Sequence, residues 1–396
     1  MSTSALDLAQ LRRETPGCQH VLHFNNAGAS LITQAVLDAT IAHLQREATT
    51  GSYEAARLAN EAVERVYGAV AALLGCRKEE IAFMDNATRA WDMAFYSIPF
   101  QPGDRILTSV AEYASSYIAF LPRARKTGIS IEVIPNDEFG QLSVAALRGM
   151  IDERVKLIGI AHVPTNGGLV NPAAAVGKIA REAGILYLLD ACQSVGQLPV
   201  NVAEIGCDLL SATGRKYLRG PRGTGFLYVR REVMEQLEPP FLDLHAATWT
   251  ARQQYEIRPD ARRYEGWETN IAGKIGLGVA IDYALSLGVD RTYPRITALA
   301  DGLRSRLNRI PGVQTHDVGQ EQCGLVTFTV DGLASDQVRD RLFDQQINVS
   351  VTTPNHTRID SEDRQLPAMV RASVHYYNSE DETEHFGEAI ERLAKR

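Results

Sequence analysis

The chain has 396 residues, enough to bury a large core and to divide into two or three domains. Hydrophobic residues make up 45% and charged residues 22%, and the formal net charge is −7. No excess of cations exists to hold a nucleic-acid backbone or an anionic membrane, so neither is an expected partner. The N-terminal stretch lacks the continuous apolar run of a signal peptide, and no run of about eighteen apolar residues occurs. A cytoplasmic location is the expectation. Five cysteines (Cys18, Cys76, Cys192, Cys207, Cys323) lack the paired short spacing of a structural zinc site, so free thiols and no metal are expected.

From about residue 32 to 230, helical and strand patterns alternate, which argues for an α/β body with a largely parallel sheet. Residues 53–74 show helical spacing, with Ala55, Leu58, Ala62, Val66, Val70 and Leu73 on one expected core stripe. Seven β-rich runs follow at 80–84, 105–109, 130–134, 156–162, 185–189, 209–213 and 225–229, enough for one central sheet. Beyond 270 the pattern changes to long helices at 272–287 and 295–308, then strands at 325–330 and 369–374. A large domain over 20–271 and a smaller α+β domain from 1–19 and 272–396 are expected, joined through the 272–287 helix.

The segment 185–229 carries the chemistry. ILYLL ends in Asp190, and in open α/β sheets a residue just beyond a strand's carboxyl end faces a crevice. LLSAT ends shortly before Lys216, which puts an acid and a lysine at one sheet edge. Taken alone, the pair reads as a structural ion pair. Pyridoxal phosphate (PLP), however, needs a lysine amine, a carboxylate for its pyridine nitrogen and donors for its phosphate. Thr213 and Arg215 suit the phosphate, and Gln193, one turn after Asp190, suits the phenolic oxygen.

Asp190-Ala191-Cys192-Gln193, then Thr213-Gly214-Arg215-Lys216, then the glycine-rich turn from Gly220 to Gly225 together resemble the class V aminotransferase family of fold-type I PLP enzymes. That family includes cysteine desulfurases, selenocysteine lyases and cysteine C–S lyases. The resemblance runs from about His23 to the C-terminus and implies a seven-stranded, mostly parallel sheet in a large domain, with a smaller α+β C-terminal domain. It implies that DNATRAWD is the phosphate turn, with Ala87, Thr88 and Arg89 at a helix N-terminus. It nominates Tyr113 to stack on the cofactor ring, where family members usually carry histidine, and Asn166 of PTNGG to approach the cofactor and the substrate carboxylate. Arg371 of MVRAS would grip that carboxylate, and His375 is read as structural. RYEGWETN, with VPTNGG, is similar to C–S lyases of the ergothioneine-pathway type and to isopenicillin-epimerase-like proteins.

Cysteine desulfurases carry a nucleophilic cysteine in the loop before the arginine strand, and 348–368 contains none. Cys323, the nearest, is read as buried. The implied reaction is therefore β-elimination from a cysteine-derived thioether or sulfoxide, giving pyruvate and ammonia, with Lys216 as base. A desulfurase or selenocysteine lyase, and an aminotransferase or epimerase, are the alternatives. The resemblance further implies a homodimer with active sites between subunits and Thr269 contacting the partner's phosphate. Tyr53, Trp249 and the stretch 245–264 are candidates for the substrate side-chain pocket.

Overall fold

The computed structural model describes residues 6–395. Its central sheet is built from β1 (Ile81–Met84), β2 (Arg105–Ser109), β3 (Ser130–Ile134), β4 (Val155–Ala161), β5 (Leu186–Asp190), β6 (Leu209–Thr213) and β7 (Gly225–Val229). Their order is β1-β7-β6-β5-β4-β2-β3. Only β7 runs against its neighbours, β1 and β6. All seven lie within one residue of their expected bounds, because short β-branched runs edged by turn residues leave little choice.

These strands read as nearly continuous apolar runs because both faces are covered. α1 (Gln34–Thr50) and α2 (Asn60–Leu74) precede the sheet, and α3 (Ala87–Tyr96), α4 (Ala114–Thr127) and α5 (Ala173–Ala183) are interleaved with its strands. Trp91, Phe95 and Phe120 of α3 and α4 pack with Ile106, Leu157 and Leu188. Val66 and Val70 of α2, with Val176 and Ile179 of α5, pack with Ile158, Ile160 and Leu189.

The single helix expected at 53–74 is two helices, Ser52–Leu58 and α2, meeting at Ala59. The two bury different faces: Ala55, Val66 and Val70 are buried, while Leu58 and Ala62 are exposed. The break thus divides what one periodic stripe had joined.

α6 (Ile271–Leu287) lies close against α1 and α2, and a Cβ at Gly276 would stand 2.5 Å from Thr40 Oγ1. α7 (Val289–Leu307) starts six residues before the expected 295. Pro294 marks a boundary by itself, but near the helix start its missing N–H deprives only the Asp290 carbonyl of a partner. Gly288, at φ 80°, makes the corner, and the two helices bend by 82°. Among the described residues no single helix is long and apolar enough to cross a membrane.

A hairpin of β8 (Ala247–Ala251) and β9 (Gln254–Ile257) stands apart from the central sheet. β10 (Val313–Thr315), β11 (Leu325–Val330), β12 (Ser350–Thr352) and β13 (Met369–Ser373) form an antiparallel sheet in the order β10-β11-β13-β12, followed by α8 (Glu380–Ala394). The N-terminal segment joins this part: Leu22 and His23 pair with Ile347 and Asn348, and Arg12 bonds Glu382 at 2.7 Å.

Candidate active site

β4, β5 and β6 end side by side, with Ala161 opposite Asp190 and Asp190 opposite Ser211. A cavity of ≈ 250 Å³ opens at this edge, and Asp190, Lys216, Gln193, Thr213, Arg215 and Tyr113 all line it. Cys192 N donates to Asp190 Oδ1 at 2.8 Å and fixes the carboxylate. Burial pushes the Lys216 amine below its ordinary value; Cys192 and Asp190 oppose that, and Arg215 and Arg371 add to it. Burial, with Asp190 adding, pushes the Cys192 thiol well up, so it is neutral at pH 7.

At the other end of the cavity α3 begins. Asn86 caps it by accepting the Arg89 amide at 2.8 Å, which leaves the amides of Ala87 and Thr88 free to face an anion. Arg215 Nη1 donates to Thr213 Oγ1 at 2.9 Å and holds a cation and a hydroxyl there together. The start of β7 crosses close by: a Cβ on Gly225 would lie 2.6 Å from the Ala212 carbonyl and 3.0 Å from the Asn86 backbone.

Arg371 is buried on β13. Its Nη1 donates to Thr165 O at 3.0 Å and Thr165 Oγ1 at 2.7 Å, and its Nε donates to Ser350 Oγ at 3.1 Å. Among the described residues no carboxylate pairs with it, and burial pushes it down to about 10. A buried guanidinium without an anion is a site awaiting one.

Five expected residues lie elsewhere in the subunit. Asn166 accepts from Thr352 Oγ1 and donates to Thr357 Oγ1 at 2.8 Å, and the adjacent Thr165 lines the cavity instead. The Arg89 guanidinium stacks over Phe241 at 4.8 Å, beside a second cavity of ≈ 180 Å³ that also holds Thr269. Thr269 Oγ1 is buried there without a partner. Tyr53 and Trp249 are 72% and 78% exposed. His375 uses both ring nitrogens, Nε2 on Tyr217 O at 3.0 Å and Nδ1 on Tyr376 N at 2.9 Å. Cys323 is buried with its thiol pushed up to about 12 by burial.

Thr165 and a buried acid, Glu112, went unremarked in the sequence. Thr165 carried no signal beyond its place beside Asn166, and Glu112 none beyond its place before Tyr113.

The cavity fits PLP. Gln193 is buried, donates Nε2 to Ala27 O at 3.1 Å, and leaves Oε1 without a protein partner. That orphan acceptor, the free α3 amides and the Asp190 and Lys216 pair match the cofactor's polar groups one by one. A mostly parallel seven-stranded sheet with this cavity at its carboxyl edge defines a fold-type I PLP enzyme.

Comparison with known proteins narrows the class. The family described as aminotransferase class-V matches residues 22–386, and the chain belongs to that PLP-dependent family. A probable cysteine desulfurase of Xylella fastidiosa (strain Temecula1) is 31% identical, over 98% of this chain and 94% of the relative. One from Methanothermobacter thermautotrophicus is 29% identical, over 87% and 86%. Among solved structures, the apo cysteine desulfurase of Thermococcus onnurineus superposes with TM-score 0.92 at 28% identity, covering all of both chains. The cystine C–S lyase C-DES, in complex with cysteine persulfide, shares the fold at TM-score 0.86 and 23% identity, over 95% and 99%.

Proposed function

We propose that the protein breaks the Cβ–S bond of cysteine or of a cysteine derivative. The unpaired Arg371 guanidinium, whose charge acts on Lys216 and whose partner Thr165 lines the cavity, supports an α-amino acid as substrate, its carboxylate toward Arg371 and its amine toward the lysine. The names of the relatives support sulfur as the leaving atom. PLP, when bound, supplies the electron sink for negative charge at Cα. Asp190 would hold the pyridine nitrogen, Tyr113 would cover the ring and Gln193 would meet the phenolic oxygen, while Thr213, Arg215 and the Ala87 and Thr88 amides would hold the phosphate. Lys216, whose burial favours the neutral amine, takes the α-proton. Thr165, held on Arg371, takes the place expected for Asn166 near the substrate carboxylate.

The fate of sulfur divides two readings. Residues 348–368 contain no cysteine, and the Cys323 thiol is buried and protonated. This favours elimination, in which the substrate thioether, sulfoxide or disulfide sulfur leaves, and pyruvate and ammonia form after hydrolysis. The desulfurase reading is favoured by the names of the relatives; Cys192 lines the cavity, but burial pushes its thiol well up as it does that of Cys323. L-cysteine and a panel of its S-conjugates, assayed for pyruvate and ammonia against alanine and protein-bound persulfide, decide between them. Pyruvate supports elimination and alanine supports the desulfurase. Conversion of added keto acid to amino acid, or loss of optical activity alone, would sink both.

We also propose a cytoplasmic homodimer in which Thr269, Tyr53 and the β8–β9 hairpin serve the partner's cavity, since none reaches the cavity of its own subunit. Sedimentation at micromolar concentration checks it, and a monomer with full activity would refute it.

A further inference from the structure

The turn between β2 and α4 holds a second buried carboxyl that the proposed chemistry does not use. Glu112 is 3% exposed and directly precedes Tyr113. Its Oε1 accepts the Tyr113 amide at 3.1 Å, and its Oε2 accepts the Ala161 amide at 3.0 Å. The hydroxyls of Thr108 and Ser109 each stand 3.2 Å from Oε2. Ala161 is the last residue of β4 and lies opposite Asp190. One carboxyl therefore ties the end of β2, the end of β4 and the Tyr113 turn together, next to the carboxylate that faces the cofactor.

The ionisable groups around it are few. On β5 stand Asp190 and Tyr187, and burial pushes the Tyr187 hydroxyl well up. His162, one residue beyond Ala161, is pushed down to about 4 by burial and is neutral. Tyr113 opens α4. No lysine or arginine pairs with Glu112 among the described residues. Burial first, and the Asp190 charge second, push the Glu112 carboxyl up to about 8. Its four partners suit either charge state. The two amides only donate, whereas a hydroxyl that donates to the carboxylate can turn and accept from the acid.

We infer that Glu112 is a positioning residue: its carboxyl holds the Tyr113 turn against β4, and its charge acts on Asp190 and through it on the pyridine side of bound PLP. The inference rests on the proposed role of Asp190. It is tested by titrating the visible absorbance of the holoenzyme with pH in the wild type, Glu112→Gln and Asp190→Asn. A negative charge near the cofactor makes its proton harder to lose, and Glu112 carries one only above about pH 8. Glu112→Gln is therefore expected to match the wild-type spectrum below about pH 8 and to show less of the protonated cofactor than the wild type above it, and Asp190→Asn is expected to show less throughout. Glu112→Gln keeps one acceptor oxygen and strands one of the Ala161 and Tyr113 amides, whereas Glu112→Ala strands both and is expected to lose more of its PLP.

An unchanged titration in Glu112→Gln above about pH 8, with Asp190→Asn shifted, overturns the inference and leaves the Asp190 role standing. Unchanged titrations in both overturn the two together. If Glu112→Gln does not accumulate, the wild type still decides the matter: the infrared band of a buried protonated carboxyl should be present at pH 6 and fade as pH passes about 8. A fade that leaves the visible absorbance of bound PLP unmoved overturns the inference.

Discussion

Lys216 and Arg371 are both buried cations whose ordinary proton affinity burial reduces, yet the consequence differs. A lysine so placed becomes a usable base, while an arginine held near 10 stays charged at pH 7 and simply lacks an anion. Lys216→Ala is expected to abolish the yellow colour of the holoprotein and to lower turnover by roughly 10³-fold or more, read by absorbance and product assay. Arg371→Ala is expected to cost about 10²-fold in kcat/KM, with PLP content kept and Arg371→Lys intermediate. Glu112 also carries a stability signature. Its folded value near 8 lies above the unfolded 4.5, so between those values the unfolded chain gives up a proton that the folded one keeps. Stability should fall as pH rises through that window, by at most about 5 kcal/mol. Glu112→Gln should flatten the slope in denaturant titrations; an unchanged slope would contradict the assignment. Lys216, Asp190 and Gln193 were legible because they stand in strings whose spacing is tied to strand ends. Thr165 was not. Gly167 and Gly168, at φ 80° and 63°, turn the chain so that Thr165 faces the cavity and Asn166 faces Thr352 and Thr357, and residue type alone does not say which neighbour wins.

The elements around the cavity depend on close approach and capping. α3 presents its first amides to the cavity because Asn86 binds the Arg89 amide and fixes the first turn. Asn86→Ala should cost about 1 kcal/mol of stability and weaken PLP binding more than substrate binding, measured by cofactor titration. α5 rests directly on the Val202–Ile205 helix. A Cβ at Gly177 would come 1.8 Å from the Ile205 carbonyl, which backbone cannot yield, so Gly177→Ala should destabilise by about 3 kcal/mol or more, read from denaturant midpoints. Element existence was legible from periodicity, and strand bounds with it. The break at Ala59 and the early start of α7 were not. The first depends on which face each helix buries, and the second on Pro294 falling where few hydrogen bonds are at stake.

At the scale of the whole molecule, Arg219 joins three distant stretches. Three residues after Lys216, at φ 62°, it donates to Leu31 O at 2.8 Å, Tyr376 Oη at 2.9 Å and Thr15 Oγ1 at 2.5 Å, and its guanidinium sits 4.6 Å from the Tyr377 ring centre. The lysine turn is thereby clamped to both the N-terminal segment and the C-terminal part. Arg219→Met should lower stability by about 3 kcal/mol, since it leaves buried acceptors unpaired, and should loosen PLP in the same denaturant range in which Lys216 loses its hold. Separate transitions for the two would argue against the clamp. Sequence alone determined the α/β class, the seven strands, the placing of Lys216 and Asp190 at one sheet edge, and the absence of a cysteine from 348–368. Each follows from local period, from motif spacing, or from a count. Tertiary structure decided what depends on side chains meeting across the chain. It paired Arg371 with Thr165 and left it without an anion, it set Glu112 beside Asp190, and it carried Arg89, Thr269 and Tyr53 away from their own subunit's cavity. No local period encodes such meetings, because they arise only when strands distant in sequence end at one edge.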